Sequence, residues 1–144
     1  MIVPHLLTAP TPTARLVGGM LLPPVPEAAG RARWELAMLL KELRSWYDPS
    51  DCLLMLSELV SNAVKHANFD GFWVIHVACW CDGDMFRVEV YNPGTGKPAV
   101  QSPGPDDTNG RGLLLVEASS HSWGTASTSE GTMVWFSVRL PEDS

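Results

Sequence analysis

The stretch Leu53 to Ala67, LLMLSELVSNAVKHA, is the one around which the rest of the chain is read. Its apolar residues Leu53, Leu56, Val60, Ala63, Val64 and Ala67 recur at helical spacing, while Glu58, Asn62 and Lys65 fall at i, i+4 and i+7 along one side. One face of this helix is therefore polar. A carboxylate, a carboxamide and an ammonium stacked about one turn apart can serve a base, a metal ligand and a phosphate contact in one compact site. Three such residues alone also describe an ordinary solvated stripe, so the decision rests on the sequence around them.

Upstream, Asp48-Pro49-Ser50-Asp51 is a helix start: Asp48 can cap, Pro49 suits the first helical position and Asp51 falls in the first turn. The helix should end near Ala67 to Asn68, with Gly71 in the turn beyond. A second helix is predicted over Glu27 to Trp46, with Leu36, Leu39, Leu40 and Leu43 along one face. Ala14 to Leu22 reads as a short strand that Gly18 and Gly19 either weaken or mark with a bulge, stopped by Pro23, Pro24 and Pro26. Residues 1–12 form a Pro-rich arm, and 13–141 a single domain.

Downstream, Trp73 to Cys81 alternates as a strand, with Ile75, Val77 and Cys79 on one face and His76, Ala78 and Trp80 on the other. Asp82-Gly83 is read as a two-residue hairpin turn into Met85 to Tyr91, where Phe86, Val88 and Val90 alternate with Arg87, Glu89 and Tyr91. From Asn92 to Gly112 the chain is crowded with Gly, Pro, Asp and Asn, which marks a functional lid at about 93–111. A short helix is predicted over Leu113 to Ser119, entered through Gly110-Arg111-Gly112, so that its positive end faces an anion. Trp123 to Ser127 and Met133 to Leu140 complete the pattern as two strands joined at Ser129-Glu130-Gly131.

The totals narrow the function. At 144 residues there is room for one ordinary domain. The net charge of −6, with ten scattered Lys and Arg, argues against a nucleic-acid binder. Cys52, Cys79 and Cys81 make no disulfide framework and suit a reducing cytosol; a zinc site at Cys79 and Cys81 is disfavoured because His76 points to the other strand face. The prolines at 4, 10 and 12 and the lack of a basic start are unlike a signal peptide. No apolar run reaches the roughly 18 residues of a membrane span. The expected location is the cytoplasm.

In this order and at these spacings the motifs resemble the GHKL superfamily of gyrase-type ATPases, heat-shock chaperone ATPase domains, histidine kinases and MutL-like proteins. Glu58 to Ala67 resembles its N box, Asn92-x-Gly94-x-Gly96 its first glycine box, Gly110-Arg111-Gly112-Leu113 its second and Gly131-Thr132 a further element. Details such as ELVSNAVKHA, GRGLLLVEA and WGT…GTMVWFSV look most like the small bacterial anti-sigma-factor serine/threonine kinases and their actinobacterial relatives.

That resemblance implies an α+β, two-layer Bergerat fold: a mixed, mostly antiparallel sheet with helices on one face and ATP held between helices and lid. It implies that Glu58 activates the nucleophile, that Asn62 holds Mg2+, and that Lys65 reaches a phosphate. Gly94 and Gly96 would let the backbone pass adenine, Gly110, Arg111 and Gly112 (with Leu113) would wrap the phosphates, and Thr132 would help seat the base. The family's first glycine box begins with Asp, which accepts from the adenine amino group; here Asn92 stands in its place. An uncharged amide accepts that bond more weakly. The implied partners are an anti-sigma antagonist and a sigma factor, and a homodimer is implied as well. The competing expectation is a non-catalytic protein-binding switch of the same fold, with weak or no ATP binding. A histidine kinase is disfavoured, since no two-helix phosphoacceptor unit fits ahead of the motifs.

Overall fold

Two alternating stretches build the centre of the molecule. The computed structural model describes residues 8–66, 71–93, 108–128 and 131–141. Strands β2 (Ile75–Asp82) and β3 (Met85–Pro93) pair antiparallel at the middle of a five-stranded sheet. β1 (Arg15–Leu22) lies outside β2, while β5 (Gly131–Arg139) pairs with β3 and carries β4 (Ser122–Thr128) on its outer side. The strand order is β1-β2-β3-β5-β4. Every pairing among the described residues is antiparallel, in keeping with the mostly antiparallel sheet of the expected α+β fold.

Three helices, α1 (Ala28–Leu43), α2 (Ser50–His66) and α3 (Thr108–Ser119), share one core with one face of that sheet. Ile75, Val77 and Cys79 of β2, Phe86, Val88 and Val90 of β3, and Phe136 and Val138 of β5 meet Leu36 and Leu40 of α1 and the apolar side of α2. These are the alternate residues of each strand, as a pleat requires. Cys79 is fully buried, and burial pushes its thiol up to about 12, so it packs as a small hydrophobe.

The boundaries moved for local reasons. α1 is shorter than the predicted Glu27 to Trp46, because Arg44 leaves helical geometry at φ −151° while its N–H still bonds the Leu40 carbonyl at 2.8 Å. The anticipated bulge falls between Leu16 and Gly18, where a Cβ on Gly18 would sit 2.9 Å from Leu39 Cδ2 of α1. Asp82 pairs with Met85, so the hairpin loop is Gly83-Asp84 and not Asp82-Gly83. Gly83 takes φ +61° and Asp84 a negative φ, the type II′ pattern that glycine at the first loop position allows. α3 begins at Thr108, five residues before the predicted Leu113.

The start of α2 follows its sequence signal. Asp48 Oδ1 accepts from the Ser50 N–H at 3.0 Å and from Ser50 Oγ at 2.6 Å, and these bonds hold the Asp48 carboxyl below the usual carboxylate range. Such a depressed pKa contributes stability that is present above the unfolded value of 3.8 and is lost as pH falls through the folded value. Replacing Asp48 by Asn keeps an acceptor at the cap while removing the titration. Urea midpoints measured from pH 5 to pH 2 should therefore fall less steeply for Asp48→Asn than for the parent chain.

Candidate functional site

The buried side of α2 sets what its polar side can face. Cys52, Met55, Leu56, Leu59, Val60 and Ala63 are buried, with Leu53 and Val64 partly so, which turns the stripe slightly from the predicted set. Ala67 lies outside the described residues. With that side held against the sheet, Glu58 and Asn62 are half-buried and Lys65 is exposed. Their common neighbour is α3.

Contact between α2 and α3 is made at Gly112. A Cβ there would fall 3.0 Å from Glu58 Oε2, 3.3 Å from Glu58 Cβ and 3.5 Å from Asn62 Nδ2. Glycine thus lets the α3 backbone approach the two polar side chains that the sequence singled out. Leu113 is buried in the core and Val116 is fully buried three residues later, so α3 docks through these two beside Gly112. Gly110-Arg111-Gly112 is not the turn before a helix, as anticipated, but lies inside the first part of α3. The Arg111 side chain lies outside the described residues.

Strand parity brings a second pair to the same side of the sheet. Asn92 continues the alternate set Phe86, Val88 and Val90, and Thr132 continues Val134, Phe136 and Val138, so both face the helices. They are register partners, and Thr132 Oγ1 donates to Asn92 Oδ1. The next pair is Pro93 with Gly131, which takes φ +154°. A Cβ on Gly131 would collide with the Asn92 carbonyl oxygen, so this position admits only glycine without a backbone shift. Gly94 and Gly96 lie outside the described residues, as does most of the predicted lid.

The arrangement therefore has two parts: Glu58 and Asn62 against Gly112, and Asn92 with Thr132 at the ends of β3 and β5, with α2 packed on β3. Among the described residues no three His, Cys, Asp or Glu side chains converge as a metal cage. The donor chemistry fits Mg2+ all the same, because that ion is held by few protein oxygens and completes its shell with phosphates and water. The Asn62 side-chain amide carries such an oxygen, and the missing Cβ of Gly112 leaves space beside that amide, whose Nδ2 is the atom nearest it.

The sequence reading passed over another cluster. On the opposite face of the sheet Glu89 is 2% exposed and gathers Trp80, Arg87 and Tyr91. Its signal was present in the alternation of β2 and β3, where both faces carry large apolar or aromatic residues.

Comparison with known proteins agrees with this fold. The histidine kinase-like ATPase domain family matches residues 23–138, and the chain belongs to that family. It is accordingly an ATPase-type domain of the GHKL class. No protein of curated function is significantly similar to it. Its fold is similar to that of the RsbU and RsbW domains of Rv1364c from Mycobacterium tuberculosis, with a TM-score of 0.64 and 23% identity, covering 85% of this chain and 31% of that one. The histidine kinase domain of a blue-light activated histidine kinase from Erythrobacter litoralis EL346 is similar at TM-score 0.51 and 26% identity, covering 62% of this chain and 43% of that one. A second structure of the same kinase gives 0.51 and 23% identity, over 62% of this chain and 30% of that one. The chain spans less than half the length of each of these relatives. No described helix is long and apolar enough to cross a membrane.

Gly112→Ala separates site from scaffold. Alanine favours a helix interior over glycine by about 1 kcal/mol, while its methyl would press on Glu58 Oε2. Thermal melting of this variant should stay at or above that of the parent, whereas Mg-ATP affinity should fall roughly 3- to 10-fold, the scale of about 1 kcal/mol in binding.

Proposed function

We propose that the protein is an ATP-binding switch of the anti-sigma-factor kinase type, whose phosphoryl acceptor is a serine or threonine on a small antagonist protein. The observation that carries this reading is the approach of Gly112 to Glu58 and Asn62, since it joins the two motifs such chemistry needs. Phosphoryl transfer asks a protein mainly for positioning and charge compensation. Glu58 would accept the proton of the attacking hydroxyl, and Asn62 would hold Mg2+, which neutralises phosphate charge when bound. Lys65, Gly110, Arg111 and Gly112 would contact phosphates. Asn92, Gly94, Gly96 and Thr132 would line the base, with Leu113 as packing behind the phosphate segment. A sigma factor as second partner and a homodimer belong to the same reading and rest on the family resemblance.

One observation favours the non-catalytic alternative. Thr132 already donates to Asn92 Oδ1, and the rest of that amide is a donor. An aspartate would offer a second anionic oxygen to an amino group of the base; Asn92 does not.

Calorimetric titration with Mg-ATP tests the reading. The parent chain should bind, and Asn62→Ala should bind roughly 10- to 100-fold more weakly, the usual cost of disturbing a metal site. No heat at millimolar ATP would leave only the protein-binding alternative. Asn92→Asp should tighten ATP by about 1 to 2 kcal/mol through a charge-assisted hydrogen bond; unchanged or weaker binding would remove Asn92 from the base site. Glu58→Gln should retain binding and lower phosphate transfer to a protein acceptor by about 100-fold or more.

A further inference from the structure

On the sheet face turned away from the helices there is a cavity of about 180 Å3. Trp80 of β2, Met85 and Arg87 of β3 and Trp135 of β5 line it, and Pro10 and Ala14 of the segment before β1 close one side. Nothing in the proposed nucleotide chemistry uses these residues.

Each wall is fixed in place. Glu89 accepts from Trp80 Nε1 at 2.7 Å, from Arg87 Nε at 2.9 Å and from Tyr91 Oη at 2.9 Å. One buried carboxylate thereby orients an indole, a guanidinium and a phenol at once. The Arg87 guanidinium carbon lies 3.9 Å from the centroid of the Trp135 ring. Behind that ring is Gly124 of β4, where a Cβ would fall 2.8 to 2.9 Å from three indole atoms, so Trp135 lies flat only because Gly124 lacks one. The segment before β1 is latched by Thr11 and Thr13, whose hydroxyls donate to the two Asp82 carboxylate oxygens at 2.6 and 2.7 Å.

Size, lining and charge define what would fit. A cavity of about 150 Å3 holds a benzene ring, so this one has room for a ring with a small substituent. The lining surface is mainly apolar, and Arg87 is the one cation among its described residues. Nε of Arg87 is committed to Glu89, while its two Nη groups have no acceptor among the described residues. Arg87 and Glu89 neutralise each other, which leaves Asp82 as uncompensated negative charge on the rim. An anionic ligand is therefore disfavoured.

We propose that this cavity binds an uncharged aromatic ring of about benzene size bearing one hydrogen-bond acceptor, the ring lodged beside Trp80, Met85 and Pro10 and the acceptor taking the Nη donors of Arg87. The test is titration of the 15N-labelled full chain with benzamide, following the indole N–H resonances of Trp80 and Trp135 among the six tryptophans. Both should shift saturably, with a dissociation constant on the order of 1 mM for so small a ligand. Benzoate, repelled by Asp82, should bind several-fold more weakly, as should cyclohexanecarboxamide, whose ring is saturated and not aromatic. Ala14→Phe, filling the cavity, should abolish the shifts. Arg87→Lys keeps a cation beside Glu89 but loses the planar fork, and should weaken benzamide several-fold. The amide spectrum shows whether each variant is folded, and Arg87→Lys decides the matter if Ala14→Phe does not fold. Absence of a saturable shift overturns the proposal, as do shifts unchanged in folded Ala14→Phe, full affinity in Arg87→Lys, or benzoate binding as tightly as benzamide.

Discussion

Helix α2 is constrained from two sides, and the rest of the structure follows from that. Cys52, Met55, Leu56, Leu59, Val60 and Ala63 are buried, and the larger of them are each worth about 1.5 to 3 kcal/mol when taken out of water. Together they fix the rotation of the helix about its axis. A turn of one residue, about 100°, would drive Glu58 into the sheet and expose Leu59 or Val60. Glu58 and Asn62 are therefore held toward α3 by hydrophobic packing, with no hydrogen bond needed to aim them.

The second constraint is how near a backbone can come. Gly112 brings α3 against the polar face of α2, and Gly131 brings β5 against the Asn92 carbonyl. In both places the absent Cβ is what places a chemically useful group beside a chain segment. The motif glycines thus act at two levels: they let elements pack, and they leave room at the points where packing meets polar side chains.

Most of the fold could be read from periodicity. The alternation in β2 and β3, the leucine stripe of α1 and the Asp48-Pro49 start of α2 all gave elements close to those found. What could not be read was set by tertiary contact. The Gly83-Asp84 loop depends on which residues pair across β2 and β3, and Asp82 was as good a turn residue by composition. The early start of α3 goes against the low helix propensity of Gly110 and Gly112, which burial of Leu113 and Val116 overrides. The site was legible as motifs along the chain, whereas the approach of Gly112 to Glu58 is a distance between two helices that no local pattern encodes. Apolar and aromatic residues on both faces of β2 and β3 hinted at the cluster around Glu89, yet a Glu flanked by Arg and Tyr in a strand reads as a solvated face.

That cluster and the candidate site share a strand. Even-numbered residues of β3, from Phe86 to Asn92, face the helices, while Arg87, Glu89 and Tyr91 face the other way. A slip of one residue would exchange the two sets, placing Arg87 and Glu89 in the apolar core and Phe86 and Val88 outside. Both sides resist this slip: one by burial of Phe86 and Val88, the other by the Trp80–Glu89 hydrogen bond, which crosses from β2 to β3. On the outer face the Arg87 guanidinium over the Trp135 ring spans β3 and β5 and supports the register that sets Asn92 opposite Thr132. A residue far from the nucleotide chemistry in space is tied to it through the pleat of one strand.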